Sequence, residues 1–300
     1  MEMRQTAMVC LGWSGWTTPM TTSPILVLGG KGKTGRRVVA QLEAKGVPVR
    51  LASRSSERRF DWYDESTWPG IASGIHTAYL APPVGPTGLA QACRFVTHAA
   101  ENGLRRVVLL SGRGVGSPGR EFAVYEGQLD VEHAVKGSGA DWTIVRPAWF
   151  MQGFSEDFGH EYVMAGEIRF SAGTGAEAWI DADDIGEVMA AVLLDERHTG
   201  QTYSLSGPRT LTMAEVADEL TTATGREIRY VDLDPAEHVA ELTAIGVTQE
   251  DAESVRDLFA VIRNHRSEYV SHGVEEVLGR APRDFTDWAR STAQAGAWSA

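Results

Sequence analysis

The stretch Ile25-Leu-Val-Leu28-Gly29-Gly-Lys-Gly32-Lys33-Thr34-Gly35 decides the fold. Its first four residues have the length and branching of a buried strand. A GxxGxxG pattern at Gly29, Gly32 and Gly35 follows at once. Glycines there allow a tight turn, a close approach of backbone to a pyrophosphate, and packing of the next helix against the strand. The helix N-terminus then offers free amides to phosphate. The pattern therefore reads as a dinucleotide-binding βα turn, with a plain tight turn as the alternative. A Walker A loop does not fit, because Val27 stands where that motif needs its first glycine.

Outward from this turn, strand-like and helix-like segments alternate. A helix is expected from about Arg36 to Lys45, ended by Gly46, and a second strand over residues 47–52. Further strands are expected at Thr77–Leu80, Arg106–Leu110 and Trp142–Val145, with helices around residues 88–102 and 121–137. Phe60 is placed at the end of another strand, which makes Thr77–Leu80 the fourth and Arg106–Leu110 the fifth. The fold class is α/β: a Rossmann-like doubly wound parallel sheet with a smaller C-terminal, mainly substrate-binding portion. The expected boundaries are a disordered extension over 1–23, an NAD(P)-binding domain over 24–147, and the smaller portion over 148–300. Residues at about 178–206 are expected to return to the first domain. Asp183 and Asp184 are expected to cap a helix from Ile185 to Leu194, and Thr212 with Glu215 to form a capping box for another.

The chain has 300 residues, 43% of them hydrophobic and 23% charged, enough for one large α/β unit with an appendage. Forty acidic against 28 basic residues give a net charge of -12, which repels nucleic acid and anionic lipid. No apolar run approaches the ~18 residues of a membrane span. Two cysteines without metal-type spacing suit a reducing cytoplasm. The histidines show neither HxH nor HExxH spacing, so no metal site is expected, and no GxSxG elbow supports a hydrolase. The expected partner is a small-molecule substrate, and the assembly a monomer or homodimer.

The second strand selects the cofactor. An NAD site usually has an acidic residue there, yet this strand ends Leu51-Ala-Ser53-Arg54-Ser55, with Arg58 and Arg59 beyond. Guanidinium groups near Ser53 suit a ribose 2′-phosphate, so NADP(H) is preferred, with NAD(H) as the alternative. A solvated basic loop would read the same way. Asp61 is a candidate for the adenine side.

These residues resemble the NmrA-like branch of the atypical short-chain dehydrogenases/reductases. The resemblance rests on the glycine loop, Phe60-Asp-Trp-Tyr-Asp-Glu-Ser-Thr-Trp68, Leu109-Leu-Ser-Gly-Arg-Gly114, Trp142-Thr-Ile-Val-Arg-Pro147 with Phe150-Met-Gln-Gly-Phe154, and Asp181-Ala-Asp-Asp-Ile185. Ser66-Thr-Trp-Pro69 and Gly279-Arg-Ala-Pro-Arg-Asp-Phe285 are especially similar to the festuclavine/agroclavine dehydrogenases and their bacterial relatives. The resemblance implies that Gly29, Gly32, Lys33, Thr34, Gly35, Ser53 and Arg54 bind cofactor. It also places Ala81, Pro82 and Pro83 near it, and Ser111 and Gly112 beside the nicotinamide, close to Pro147. Ser111 falls where ordinary short-chain reductases keep a catalytic serine. Their Tyr-x-x-x-Lys pair is absent: Val124 and Gln128 take those positions, and Tyr125 is one residue out of step.

A lysine-polarised tyrosine normally protonates a developing alkoxide, so its absence disfavours simple ketone reduction. A cyclic iminium already carries the charge that makes its carbon electrophilic, and a quinone can take a proton from solvent. The catalytic candidates are therefore Ser111, Tyr125 and Gln128, the last two equally readable as surface residues. Trp149, Phe150 and Phe154, with Phe158 beyond, are candidates for a flat apolar pocket or for core. The expected function is an NADP(H)-dependent reductase. The alternatives are a non-catalytic nucleotide sensor, and an isomerase or dehydratase on the same fold.

Overall fold

Along β1 (Ile25–Leu28), alternate side chains enter different cores: Leu26 and Leu28 join one, Ile25 and Val27 the other. That alternation is the signature of a strand covered on both faces. The computed structural model describes residues 23–83, 85–117 and 123–299, so the expected extension lies, except for Ser23, outside the described residues. After β1 come α1 (Lys33–Ala44), β2 (Val49–Ala52), β3 (Thr77–Leu80), α2 (Pro86–Glu101), β4 (Arg106–Leu110), α3 (Ala123–Gly137) and β5 (Asp141–Pro147). The chain continues through α4 (Phe158–Ala165), β6 (Glu167–Phe170), β7 (Ala176–Glu177), α5 (Ala182–Leu194) and β8 (Gln201–Leu205). It ends with β9 (Leu211–Thr212), α6 (Met213–Thr224), β10 (Arg229–Asp232), α7 (Pro235–Ala244), α8 (Gln249–Arg263), α9 (Gly273–Leu278) and α10 (Phe285–Gln294).

The main sheet is parallel throughout, in the order β2-β1-β3-β4-β5-β8. Helices α2 and α3 cover one face through Leu89, Phe95, Val96, Val131 and Val135. Helices α1, α5 and α9 cover the other through Val38, Leu42, Ile185, Val188 and Val274. The strand order reverses direction beside β1, and ligands in open α/β sheets bind at the carboxyl ends next to such a reversal. A second core, built around Phe154, Phe170, Trp179, Phe259 and Phe285, holds the pairs β6–β10 and β7–β9 with α4, α6 and α10. Helix α8 joins the two regions: Phe259 and Ile262 enter this core, while Val261 enters the α2–α3 side of the main one. No helix among the described residues is long and apolar enough to cross a membrane.

Three expectations are corrected. Helix α1 starts at Lys33 rather than Arg36, because Gly32 is its extended N-cap and Gly35 packs inside the first turn. No strand forms at Phe60. A single bridge joins Ser53 to Arg59, and the side chains of Asp61, Asp64 and Thr67 bond nearby backbone, which favours turns. Ala81 therefore follows the third strand and Ser111 the fourth. The cap of α5 is Asp181, whose Oδ1 accepts from the Asp183 amide at 2.9 Å; Asp183 and Asp184 lie within the helix. Asp184 is fully buried there and bonds the guanidinium groups of Arg280 and Arg283. The Thr212–Glu215 capping box is present as expected.

Candidate functional site

The glycine loop forms a backbone cradle at the carboxyl end of β1. Gly29 has φ +70°, and its carbonyl accepts from the Gly32 amide at 2.8 Å. A Cβ at Gly35 would overlap that same carbonyl, so loop and helix can approach this closely only with glycine present. No side chain caps α1, which leaves its first-turn amides for an anion. Thr34 is anchored instead: its Oγ1 shares a 2.7 Å hydrogen bond with the phenol of Tyr79, whose pKa burial pushes up. Lys33 pairs with Asp157, while Arg36 and Arg37 both bind Glu156. Residues 156–157 thereby strap the smaller portion onto the start of α1.

At the end of β2, the Ser53 amide donates to Ser56 Oγ at 2.7 Å, and Ser56 Oγ donates to the Arg58 carbonyl at 2.6 Å. The Ser53 hydroxyl is buried without a hydrogen-bond partner. Buried hydroxyls are normally satisfied, so this orphan marks a place for a polar ligand group. Arg54 and Arg58 are exposed beside it, and Lys31 reaches Ser55 Oγ at 2.9 Å. Asp61 is half-buried, with Oδ1 accepting from the Tyr63 amide at 3.1 Å. The glycine cradle and the orphaned Ser53 hydroxyl together fit a nucleotide running from the first βα turn to the end of β2.

Beside the cradle lies a cavity of about 310 Å³, at the carboxyl ends of β3, β4 and β5. Pro82 and Pro83 follow β3, Ser111 and Gly112 follow β4, and Pro147, Trp149 and Phe150 end β5 or follow it; all border the cavity. Tyr125 and Gln128 reach it from α3, and Lys33 connects it to the glycine loop. Ala81 is only partly buried and packs into the α1–α5 side of the core. Phe154 departs from its expected place. It is 1% exposed, its ring 5.1 Å from that of Trp179, and it belongs to the second core. The side chain of Phe158 lies outside the described residues.

Ser111 is not a free acid. Its hydroxyl donates to Glu132 Oε1 at 2.7 Å, and this fully buried carboxylate also accepts from Arg146 Nε at 2.8 Å and Nη2 at 2.6 Å. The serine proton is thus turned away from the cavity and its oxygen lone pairs remain for a ligand. Gln128 Oε1 is buried with no partner. Tyr125, 6% exposed, packs within the α2–α3 core.

Sequence reading missed several wall residues. Arg113 bonds buried Glu177 and donates to the carbonyls of Ser267 at 3.0 Å and Tyr269 at 2.6 Å. Leu258 and Val261 close the cavity from α8. These contacts join positions more than 60 residues apart, for which local pattern holds no signal. The Arg146 in the quoted Trp142–Pro147 segment was a visible clue to its buried partner Glu132. No group of His, Cys, Asp and Glu that could hold a metal occurs among the described residues.

An NAD(P)H-binding family matches residues 72–196. Prestalk A differentiation protein A of Dictyostelium discoideum is 30% identical over 292 residues, covering 91% of this chain and 93% of that protein. Agroclavine dehydrogenase of Claviceps purpurea is 31% identical over 293 residues, covering 92% and 99%. Among solved structures, the NADPH-dependent quinone oxidoreductase of Escherichia coli superposes with a TM-score of 0.77 at 20% identity, covering 90% of this chain and 99% of that one. That likeness shows the shared Rossmann-like fold. With a first-turn glycine cradle, a cavity beside it and relatives matching along nearly their whole length, the chain belongs to the NmrA-like family of NAD(P)H-binding proteins.

Proposed function

We propose that the protein is an NADP(H)-dependent reductase acting on a small aromatic or heterocyclic acceptor, with a cyclic iminium or a quinone as the leading substrate classes. The observation that carries this reading is an apolar-walled cavity opening beside the glycine cradle, with Lys33 common to both. When bound, the nicotinamide would supply hydride. The residues proposed to hold the cofactor are Gly29, Gly32, Lys33, Thr34 and Gly35 at the pyrophosphate, and Ser53, Arg54 and Arg58 at the ribose phosphate. Asp61 is assigned to the adenine side, and Ala81, Pro82, Pro83, Ser111, Gly112 and Pro147 to the nicotinamide side.

Trp149 and Phe150 would orient a flat ring, and the apolar wall would exclude water from the reacting carbon. An iminium needs no protein acid, which agrees with a Ser111 hydroxyl engaged by Glu132. The name of the agroclavine dehydrogenase relative supports a dehydrogenase or reductase activity for this chain. A nucleotide sensor on the same fold has no need of such a cavity, and that weighs against the sensor reading.

Titration with NADPH and NADH, followed by single-turnover absorbance of the nicotinamide band with quinones and cyclic iminiums, tests the proposal. Oxidation of bound NADPH by either class is the expected result. Tight binding with no oxidation across the panel would leave the sensor as the better reading. Cofactor choice has a separate test. Arg54→Asp places a carboxylate where a 2′-phosphate partner is proposed, so NADPH affinity should fall about tenfold or more while NADH affinity changes little. Equal losses for the two cofactors would remove Arg54 from the phosphate site.

A further inference from the structure

The polar groups on the cavity wall are unequal in what they leave for a ligand. The two cations are held by carboxylates, Lys33 by Asp157 and Arg113 by Glu177. Ser111 spends its proton on Glu132, so toward a ligand it can only accept. Gln128 Oε1 is a buried acceptor with no partner, and it lies so close to Gly112 that a Cβ there would sit 2.7 Å from it. Both oxygens belong to the end of the cavity formed by the β4 carboxyl edge and α3. A buried amide oxygen without a partner is costly, and Gln128 borders the cavity, so a donor bound there is what would satisfy it.

We infer that Ser111 Oγ and Gln128 Oε1 act as a hydrogen-bond acceptor pair that selects electron acceptors bearing an N–H or O–H donor next to the reducible carbon. This rests on the reductase reading above and adds a selection rule to it. Gly112 is part of the device, since any larger residue would fill the space in front of the amide oxygen. A bare quinone carbonyl, itself an acceptor, could take a Gln128 amide N–H but would leave both oxygens unsatisfied. A protonated cyclic imine would present its N–H to them and its electrophilic carbon to the nicotinamide side. The carboxamide N–H of a bound nicotinamide offers the same donor chemistry from a different source, and the experiment separates the two.

The test compares equilibrium binding of 3,4-dihydroisoquinolinium, which carries N–H, with its N-methyl counterpart, which has the same charge but no donor. Both are titrated by tryptophan fluorescence into the full chain saturated with NADP+, a form with no hydride to transfer. The N–H probe should bind about 10- to 100-fold more tightly, the worth of a hydrogen bond to a charged donor. Gln128→Leu should abolish most of that preference, whereas Gln128→Glu should keep it; Gln128→Met serves as a second apolar variant if Gln128→Leu melts early. Equal binding of the two probes to the wild type, no binding of either, or an undiminished preference in Gln128→Leu would overturn the inference. So would a Gln128→Leu variant that loses NADPH affinity tenfold with its probe preference intact, for the acceptor would then belong to the nicotinamide carboxamide. Failure of both probes to oxidise NADPH would count against the reductase reading alone, because the binding preference is measured without turnover.

Discussion

His238 is fully buried, with Nδ1 at 2.9 Å from Ser171 Oγ and the ring packed beside the stacked pair Phe170 and Phe259 at centroid distances of 5.6 and 5.1 Å. Its Nε2 has no partner. Burial pushes the imidazole pKa down to about 4 from its ordinary 6.5, with nearby Glu241 opposing. Between those values the unfolded chain binds a proton that the folded chain refuses. Stability is therefore full above pH 6.5 and declines as the pH falls toward 4, by about 1.4 kcal/mol per pH unit. Urea unfolding of wild type and His238→Gln between pH 7.5 and 4 should show the wild type losing ~2–3 kcal/mol more than the variant. Parallel losses would mean that the folded protein tolerates the charged ring. At this scale the sequence was only partly legible. Trp149, Phe150 and Phe154 read alike as aromatic residues after Pro147, yet a short 3₁₀ turn at Met151–Phe154 rotates Phe154 into the second core while the other two face the cavity.

The N-cap of helix α2 is Gly85, which has no side chain with which to cap it. Glu250, from the first turn of α8, accepts instead from the Thr87 amide at 3.0 Å and from its hydroxyl at 3.2 Å. One helix thus caps another, and the capping helix carries the cavity-wall residues Leu258 and Val261. Glu250→Ala should cost about 1 kcal/mol, near the usual value of a cap, and lower Tm by about 2 °C. A Tm unchanged within error would show that solvent caps α2 equally well. The elements easiest to read from sequence were those with strong local pattern: the apolar strands, the glycine loop and the Thr212–Glu215 box. Phe60 misled because an apolar residue after a basic loop looks the same whether it ends a strand or plugs a core from a turn. The start of α1 misled because Gly35 has the appearance of a helix breaker, while its lack of a side chain is what lets the helix begin against the Gly29 carbonyl.

The doubly wound sheet was legible at the scale of the molecule because alternating buried strands and helices leave few other topologies. The cavity was not. Its wall draws on residues from Lys33 to Val261; the sheet aligns the strand ends, and the docking of α8 and the strap at Glu156 and Asp157 close the rest. The chain also crosses between its two regions more than once. It leaves the sheet after β5, builds β6 and β7, then returns to lay α5 against α1 and β8 against β5. During synthesis on the ribosome, β5 is therefore an unpaired edge from the moment Pro147 emerges until Leu205 follows it out. For most of that interval, until Leu194 emerges, α1 also lacks the helix that covers its apolar side. A nascent chain stalled between those points would offer a sticky, half-covered sheet to chaperones and to its neighbours.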